Sequence, residues 1–154
     1  MKYKDDLNDK VVPTISSDIN GSTNEFLNLK SESVLLVTDN YGPTERTIKY
    51  AANLCRHTGS SLLVINMATD DYGIDKFKTR LKKCMIHLKD IQWSLARLKG
   101  PVMEILKNLS ISTDKIISLI LDKEWLDRQM PGKRHRKWLN KLGCPVVLVQ
   151  KKDD

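Results

Sequence analysis

Two short strings in this 154-residue chain mark segments where a ligand site could form. Thr38 and Asp39 stand where a continuous apolar run, Val34-Leu35-Leu36-Val37, gives way to turn residues. Gly132-Lys133-Arg134 opens an amphipathic segment near the other end of the chain. A helix N-terminus flanked by Lys and Arg is a ready anion site, because free N–H groups and the positive dipole end face the ligand. Asp122, Glu124 and Asp127 read as an exposed acidic loop rather than a metal cluster.

The remaining titratable residues offer little chemistry. His57 falls near Gly59 at a helix C-terminus, where a partly charged imidazole suits the dipole. His87 and His135 lie in basic surroundings with no Cys or carboxylate at ligand spacing, so no metal site is expected. Cys55 falls on an apolar helix face and reads as core. No nucleophile–base pair is visible, so no catalytic residue and no enzyme activity are expected. Neither a GxGxxG after the first strand nor a GxxxxGK[ST] string occurs, which argues against a Rossmann dinucleotide site and a Walker P-loop.

The elements that must position Thr38 and Asp39 follow from periodicity. Ser33 to Thr38 reads as a strand buried on both faces. Asp39 to Thr44 is turn chemistry, with Thr44 as N-cap. Ile48, Ala51, Ala52 and Cys55 then mark one face of a helix that ends at Gly59. Ser61 to Met67 is a second buried strand, so β-α-β is written here, with a right-handed crossover. Ile74, Phe77, Leu81, Cys84, Met85 and Leu88 give a second amphipathic helix with a basic outer face.

Residues 91–98 are ambiguous: alternation reads as a half-exposed edge strand, while the lack of a breaker permits helix as far as Lys99. Gly100-Pro101 ends either one. Val102, Ile105, Leu106 and Leu109 form a third helical face, and Ile116 to Leu121 another strand. Arg134 to Leu142 reads as a fourth helix and Pro145 to Val149 as the last strand. The predicted fold is α/β: a doubly wound, five-stranded parallel sheet with helices on both faces. Ligands in such sheets sit beyond the carboxyl ends of the strands, which singles out residues 38–44 and the loop 120–133.

Composition sets bounds around this core. Charged residues make up 29% and apolar residues 40%, as in an ordinary globular domain. The net charge of +7 is uneven, since residues 1–32 carry −2 and the remainder about +9. The positive excess gathers in residues 76–83 and in Lys133 to Lys137, and it favours anionic partners. Residues 1–32 are polar and read as a flexible N-terminal tail, with Lys10 to Pro13 able to dock at a sheet edge; residues 33–150 form the domain and 151–154 a charged C-terminal tail. No apolar run is long enough to span a bilayer, and the charged N-terminus lacks a secretory core, so no membrane association is expected. Three widely spaced cysteines form no disulfide framework, which fits a cytoplasmic protein.

Several strings, taken in order, resemble the universal stress protein family. Val34 to Asp39 is similar to that family's first strand, which ends in Pro-Thr-Asp or a like triplet, and Glu45 to Ala52 to its first helix. Gly100-Pro101 resembles its G-x-P segment, Asp114 to Ser118 its D-L-I-V-M, and Cys144 to Val149 its closing C-P-V-L-V-V. The likeness spans residues 33–150 and places a strand at Ile91 to Leu98. It implies dimerisation through the final strand and, in one subclass, ATP held by G-x-x-G, nine residues, then G-[S/T]. Those positions fall on Leu119, Asp122, Gly132 and Lys133, so both glycines of the first pair are replaced. Glycines there let the backbone approach phosphates. Leu119 adds bulk, and Asp122 adds a charge that repels phosphate oxygens.

Three functions are expected in descending order. The first is a regulatory or stress-adaptation module, a homodimer through the C-terminal strand that meets an unidentified protein partner without conventional ATP binding. The second is a nucleotide- or anion-responsive sensor built on Thr38, Asp39, Gly132, Lys133 and Arg134, with at most a weak adenine nucleotide as cofactor. The third is non-specific nucleic-acid binding through the basic patches.

Overall fold

A computed structural model of the chain describes residues 16–18, 29, 31–112, 114–129 and 134–150. Its strands are β1 (Ser16–Asp18), β2 (Ser33–Thr38), β3 (Ser61–Asn66), β4 (Trp93–Lys99), β5 (Ile116–Asp122) and β6 (Val146–Val149). The helices are α1 (Glu45–Thr58), α2 (Ile74–Met85), α3 (Val102–Ser112), α4 (Lys123–Gln129) and α5 (Arg134–Leu139). The strands form one sheet in the order β1-β4-β3-β2-β5-β6, and every pairing is parallel.

Alternation along the strands divides the core into two apolar layers. Val34, Leu36, Val64, Trp93, Leu95 and Ile120 face α1 and α2, which contribute Ile48, Ala51, Cys55, Phe77, Leu81 and Met85. On the other face Leu35, Val37, Ile65, Leu119 and Leu121 meet Leu106 of α3 with Trp125 and Leu126 of α4. Burial on both faces is why β2 and β3 read as continuous apolar runs rather than as alternating ones.

The ends of α1 fall where local chemistry puts them. The Thr44 hydroxyl accepts the Thr47 N–H at 3.2 Å, and Gly59 closes the helix with φ at +70°. Gly100 has φ at +140°, and a Cβ there would lie 2.9 Å from Ile105 Cδ1, so the turn into α3 requires glycine.

Residues 93–99 form a strand, which resolves the strand-or-helix ambiguity of this stretch. It is not a half-exposed edge: Trp93, Leu95, Ala96 and Leu98 are all buried. Part of its outer backbone is covered by β1, in which Ser16, Ser17 and Asp18 pair with Arg97, Leu98 and Lys99. Within the segment read as a tail, Ser16–Asp18 therefore forms a sixth strand. Ladder pairing uses the backbone alone, so a Ser-Ser-Asp strand leaves no apolar signature. Lys10 to Pro13 lies outside the described residues.

Strand β5 runs one residue further than the apolar pattern indicates, through Asp122, and α4 follows with no intervening loop. The expectation of an exposed acidic loop at residues 122–128 is corrected here. Trp125 and Leu126 are buried on the sheet, and an ion pair at 2.9 Å between Lys123 Nζ and Asp127 supports the turn of helix. α5 ends at Leu139 rather than Leu142, and turn residues lead from it to Pro145.

Candidate functional site at the carboxyl ends of β2 and β5

The chain leaves β2 through α1 to one side of the sheet, while β5 lies on the other side, so the strand order reverses between them. That reversal is where open α/β sheets leave a crevice. The register places Val37 beside Leu121, which brings Thr38 and Asp122 together at the carboxyl end.

Asp122 is 7% exposed, and its carboxylate points at the start of α1. It accepts the Thr47 hydroxyl and the Thr44 backbone N–H. The Thr44 and Thr47 hydroxyl oxygens lie 2.8 Å apart; Thr47 donates to Asp122, so Thr44 donates to Thr47. The free N–H groups of a helix start attract negative charge, and here the chain's own carboxylate supplies it. Burial pushes the Asp122 carboxyl above its ordinary range, outweighing the two hydrogen bonds that favour the charged form, and the nearby charges of Glu124 and Asp39 add to the rise.

Thr38 and Asp39 sit at the end of β2, as the apolar run requires. Thr38 is 1% exposed and donates its hydroxyl to the Asp39 carbonyl at 3.3 Å. Both carboxylate oxygens of Asp39 are engaged: Oδ1 accepts the N–H groups of Tyr41 and Gly42 at 2.8 and 3.2 Å, and Oδ2 meets Arg128 of α4 at 3.2 Å. Gly42 packs so closely that a Cβ would lie 2.6 Å from Thr38 Oγ1 and 3.1 Å from Asp122 Oδ2. Arg134 is the first residue of α5, and Gly132 and Lys133 lie outside the described residues.

Leu119 does not border a phosphate loop. It is a buried interior residue of β5, paired with Leu35 of β2 and Val146 of β6. A sheet position of this kind has its N–H and C=O committed to ladders on both sides, so its backbone is not free to turn toward phosphates.

Four residues at this end of the sheet escaped the sequence reading. Thr47 and Arg128 reach the site across turns of helix, and Asn40 and Asn66 join the loops. Asn66 Nδ2 donates to Asn40 Oδ1 at 2.8 Å, while Asn40 Nδ2 donates to the carbonyls of Asp70 and Tyr72 at 3.2 and 2.8 Å. The Thr44-x-x-Thr47 spacing was the available signal for Thr47; nothing local marks the other three.

The cysteines are poor nucleophiles. Burial pushes the Cys55 thiol up to about 11 and raises those of Cys84 and Cys144. Among the described residues no group of His, Cys, Asp or Glu is placed to hold a metal, and no helix is long and apolar enough to cross a membrane.

A doubly wound parallel sheet with a polar cluster at its switch point defines an open α/β protein of the kind that places ligands beyond its strand ends. More narrowly, the chain has the universal stress protein fold. A universal stress protein solved in complex with cAMP superposes with a TM-score of 0.59 at 12% identity, over 79% of this chain and 98% of that one. A universal stress protein from Archaeoglobus fulgidus gives 0.53 at 18% identity, over 81% and 98%. The structure of the Archaeoglobus fulgidus protein in complex with dAMP gives 0.52 at 18%, over 77% and 96%. No family model and no curated protein matches the chain.

Proposed function

We propose that this chain is a divergent universal stress protein-like regulatory module that works as a homodimer through protein contacts, without conventional ATP binding and without catalysis. One observation carries the reading: the Asp122 carboxylate holds the anion position at the start of α1. A triphosphate entering there meets a buried carboxyl group and a helix, α4, in place of a glycine loop. Loss of the Thr47 and Thr44 hydrogen bonds would accompany any displacement of Asp122. That exchange is unfavourable, because buried partners are left unsatisfied.

Dimerisation is supported by β6, which ends the sheet and keeps Val146 to Val149 half-buried. A bare apolar edge strand favours pairing with another chain, and pairing across a two-fold axis satisfies both copies. A groove lined by Arg46, Tyr50, Lys123 and Val147 to Gln150 runs beside this edge. Three free cysteines fit a reducing cytoplasm.

A second reading is a sensor of a nucleotide or other anion, using Thr38, Asp39, Gly132, Lys133 and Arg134. It is favoured by the cAMP and dAMP held by proteins of the same fold. Extraction of denatured protein, followed by calorimetric titration with ATP, AMP and cyclic nucleotides, separates the two. The first reading expects no extracted nucleotide and no heat. Micromolar binding of any of these ligands would replace it with the second.

A further inference from the structure

The rim of the sheet beside α2 carries a surface that the closed strand end does not use. Tyr41 and Tyr72 are 72% and 78% exposed, the most exposed of the large apolar side chains among the described residues. Their loops are nevertheless held together. Asn40 donates to the Tyr72 carbonyl at 2.8 Å, the Tyr41 N–H bonds to Asp39, and the Tyr72 N–H bonds to Asp70 Oδ1 at 3.0 Å. Two aromatic rings therefore project from a backbone that is already ordered.

Helix α2 leads away from this rim with Lys76, Arg80 and Lys83 at i, i+4 and i+7, all exposed, and His87 is exposed in the turn just past its end. Helical rise sets the three cations along one stripe about 10 Å long. Two adjoining shallow clefts follow it, the first lined by Asp75, Lys76, Thr79, Arg80 and Lys83, so that three cations face one carboxylate, the second by Thr79, Lys82, Lys83, Ile86 and His87. Arg80 joins the stripe to the rim by donating to the Gly42 carbonyl, next to Tyr41. Within residues 74–89, Asp75 is the lone acidic residue against Lys76, Lys78, Arg80, Lys82, Lys83 and Lys89. Of the rim's own carboxylates, Asp71 is ion-paired with Arg97 at 2.8 Å, with Lys99 at 3.9 Å, and Asp70 keeps its charge while accepting the Tyr72 N–H.

We propose that Tyr41, Tyr72 and the Lys76–Arg80–Lys83 stripe form a binding surface for single-stranded nucleic acid. Exposed aromatic faces beside a basic track match what an unpaired strand presents, bases for stacking and phosphates for the cations. A duplex keeps its bases stacked internally and leaves the rings without partners. A bilayer needs an apolar helix face to insert, and the one on α2, made by Phe77, Leu81 and Met85, is buried in the core. This surface is independent of the strand-end reading, since it uses neither Asp122 nor Thr47.

The test is fluorescence anisotropy of a labelled oligouridine dodecamer with the whole chain, titrated across a range of salt. Binding should weaken with salt. Replacing both rings (Tyr41→Ala with Tyr72→Ala) should lower affinity by roughly tenfold for each ring while leaving the salt slope unchanged. The pair Lys76→Gln and Lys83→Gln should reduce that slope by about 1.4. All four positions are exposed, so the fold should persist in these variants. Equal affinity for a duplex of the same length, equal affinity for a single uridine nucleotide, or no effect of the tyrosine pair would overturn the proposal. So would binding to phosphatidylserine vesicles in the absence of any oligonucleotide binding.

Discussion

Asp122 accepts the hydroxyl of Thr47 although the two residues lie 75 positions apart in the chain, and this contact seals the start of α1 against the end of β5. Thr47 is fully buried and Asp122 nearly so, which leaves no water to replace either partner.

Thr47→Val keeps the shape of the side chain and removes the donor. A buried carboxyl group that loses a partner costs about 1–3 kcal/mol. Urea denaturation at neutral pH should show that loss as a lower midpoint with an unchanged slope. An unaltered midpoint would mean that Asp122 finds another donor.

The pH dependence has a definite sign. The folded-state pKa of Asp122 is raised, so its contribution to stability is fully present below its unfolded value of about 3.9 and is lost as pH rises through the folded value. Asp122→Asn removes this titration. The wild type should lose stability relative to the variant as pH rises from about 4 toward neutrality. Thermal melts of both proteins across that range, read as the Tm of the variant minus that of the wild type, check the prediction; a value that falls with rising pH contradicts it.

Gly42→Ala forces a methyl group against Thr38 and Asp122. Overpacking at such a site costs about 1–3 kcal/mol. Combining it with Thr38→Ala, which removes the 2.6 Å contact, should recover part of the loss. A double-mutant cycle measures the coupling, and strict additivity would place the strain elsewhere.

Trp125→Ala tests whether α4 is a packed helix. The indole is 2% exposed, so the truncation should cost about 3–5 kcal/mol. Hydrogen exchange should show α4 losing protection ahead of α1. A surface-like effect below about 0.5 kcal/mol would contradict the packing of this segment.

Val147→Lys places a charge on the edge strand β6. Under the proposed dimer, light scattering should report a monomer or insoluble protein. A dimer of unchanged mass would remove β6 from the interface.

Much of the fold was legible because burial leaves a local trace. The apolar runs at Val34 to Val37 and Leu62 to Ile65 announce strands covered on both faces, and Ile48, Ala51, Ala52 and Cys55 announce one helical face. Thr44 and Gly59 mark the ends of that helix through their own hydrogen-bonding and backbone preferences. The short helix α4 was not legible. Trp125 and Leu126 are adjacent, and two neighbouring apolar residues define no period.

The candidate site divides the same way. Sequence alone determined an open α/β sheet whose first long strand ends in Thr38 and Asp39, because strand and helix periods are repeated locally and need no distant partner. Tertiary structure decided what those two residues meet. The reversal of strand order beside β2 brings Asp122 to Thr47, the ladders on both sides of β5 draw Leu119 into the core, and backbone pairing seats Ser16 to Asp18 on the edge of β4. Each of these is a contact between segments far apart in the chain, made by backbone groups that every residue carries or by single polar side chains. Neither leaves a periodic signal, so only the assembled sheet reveals them.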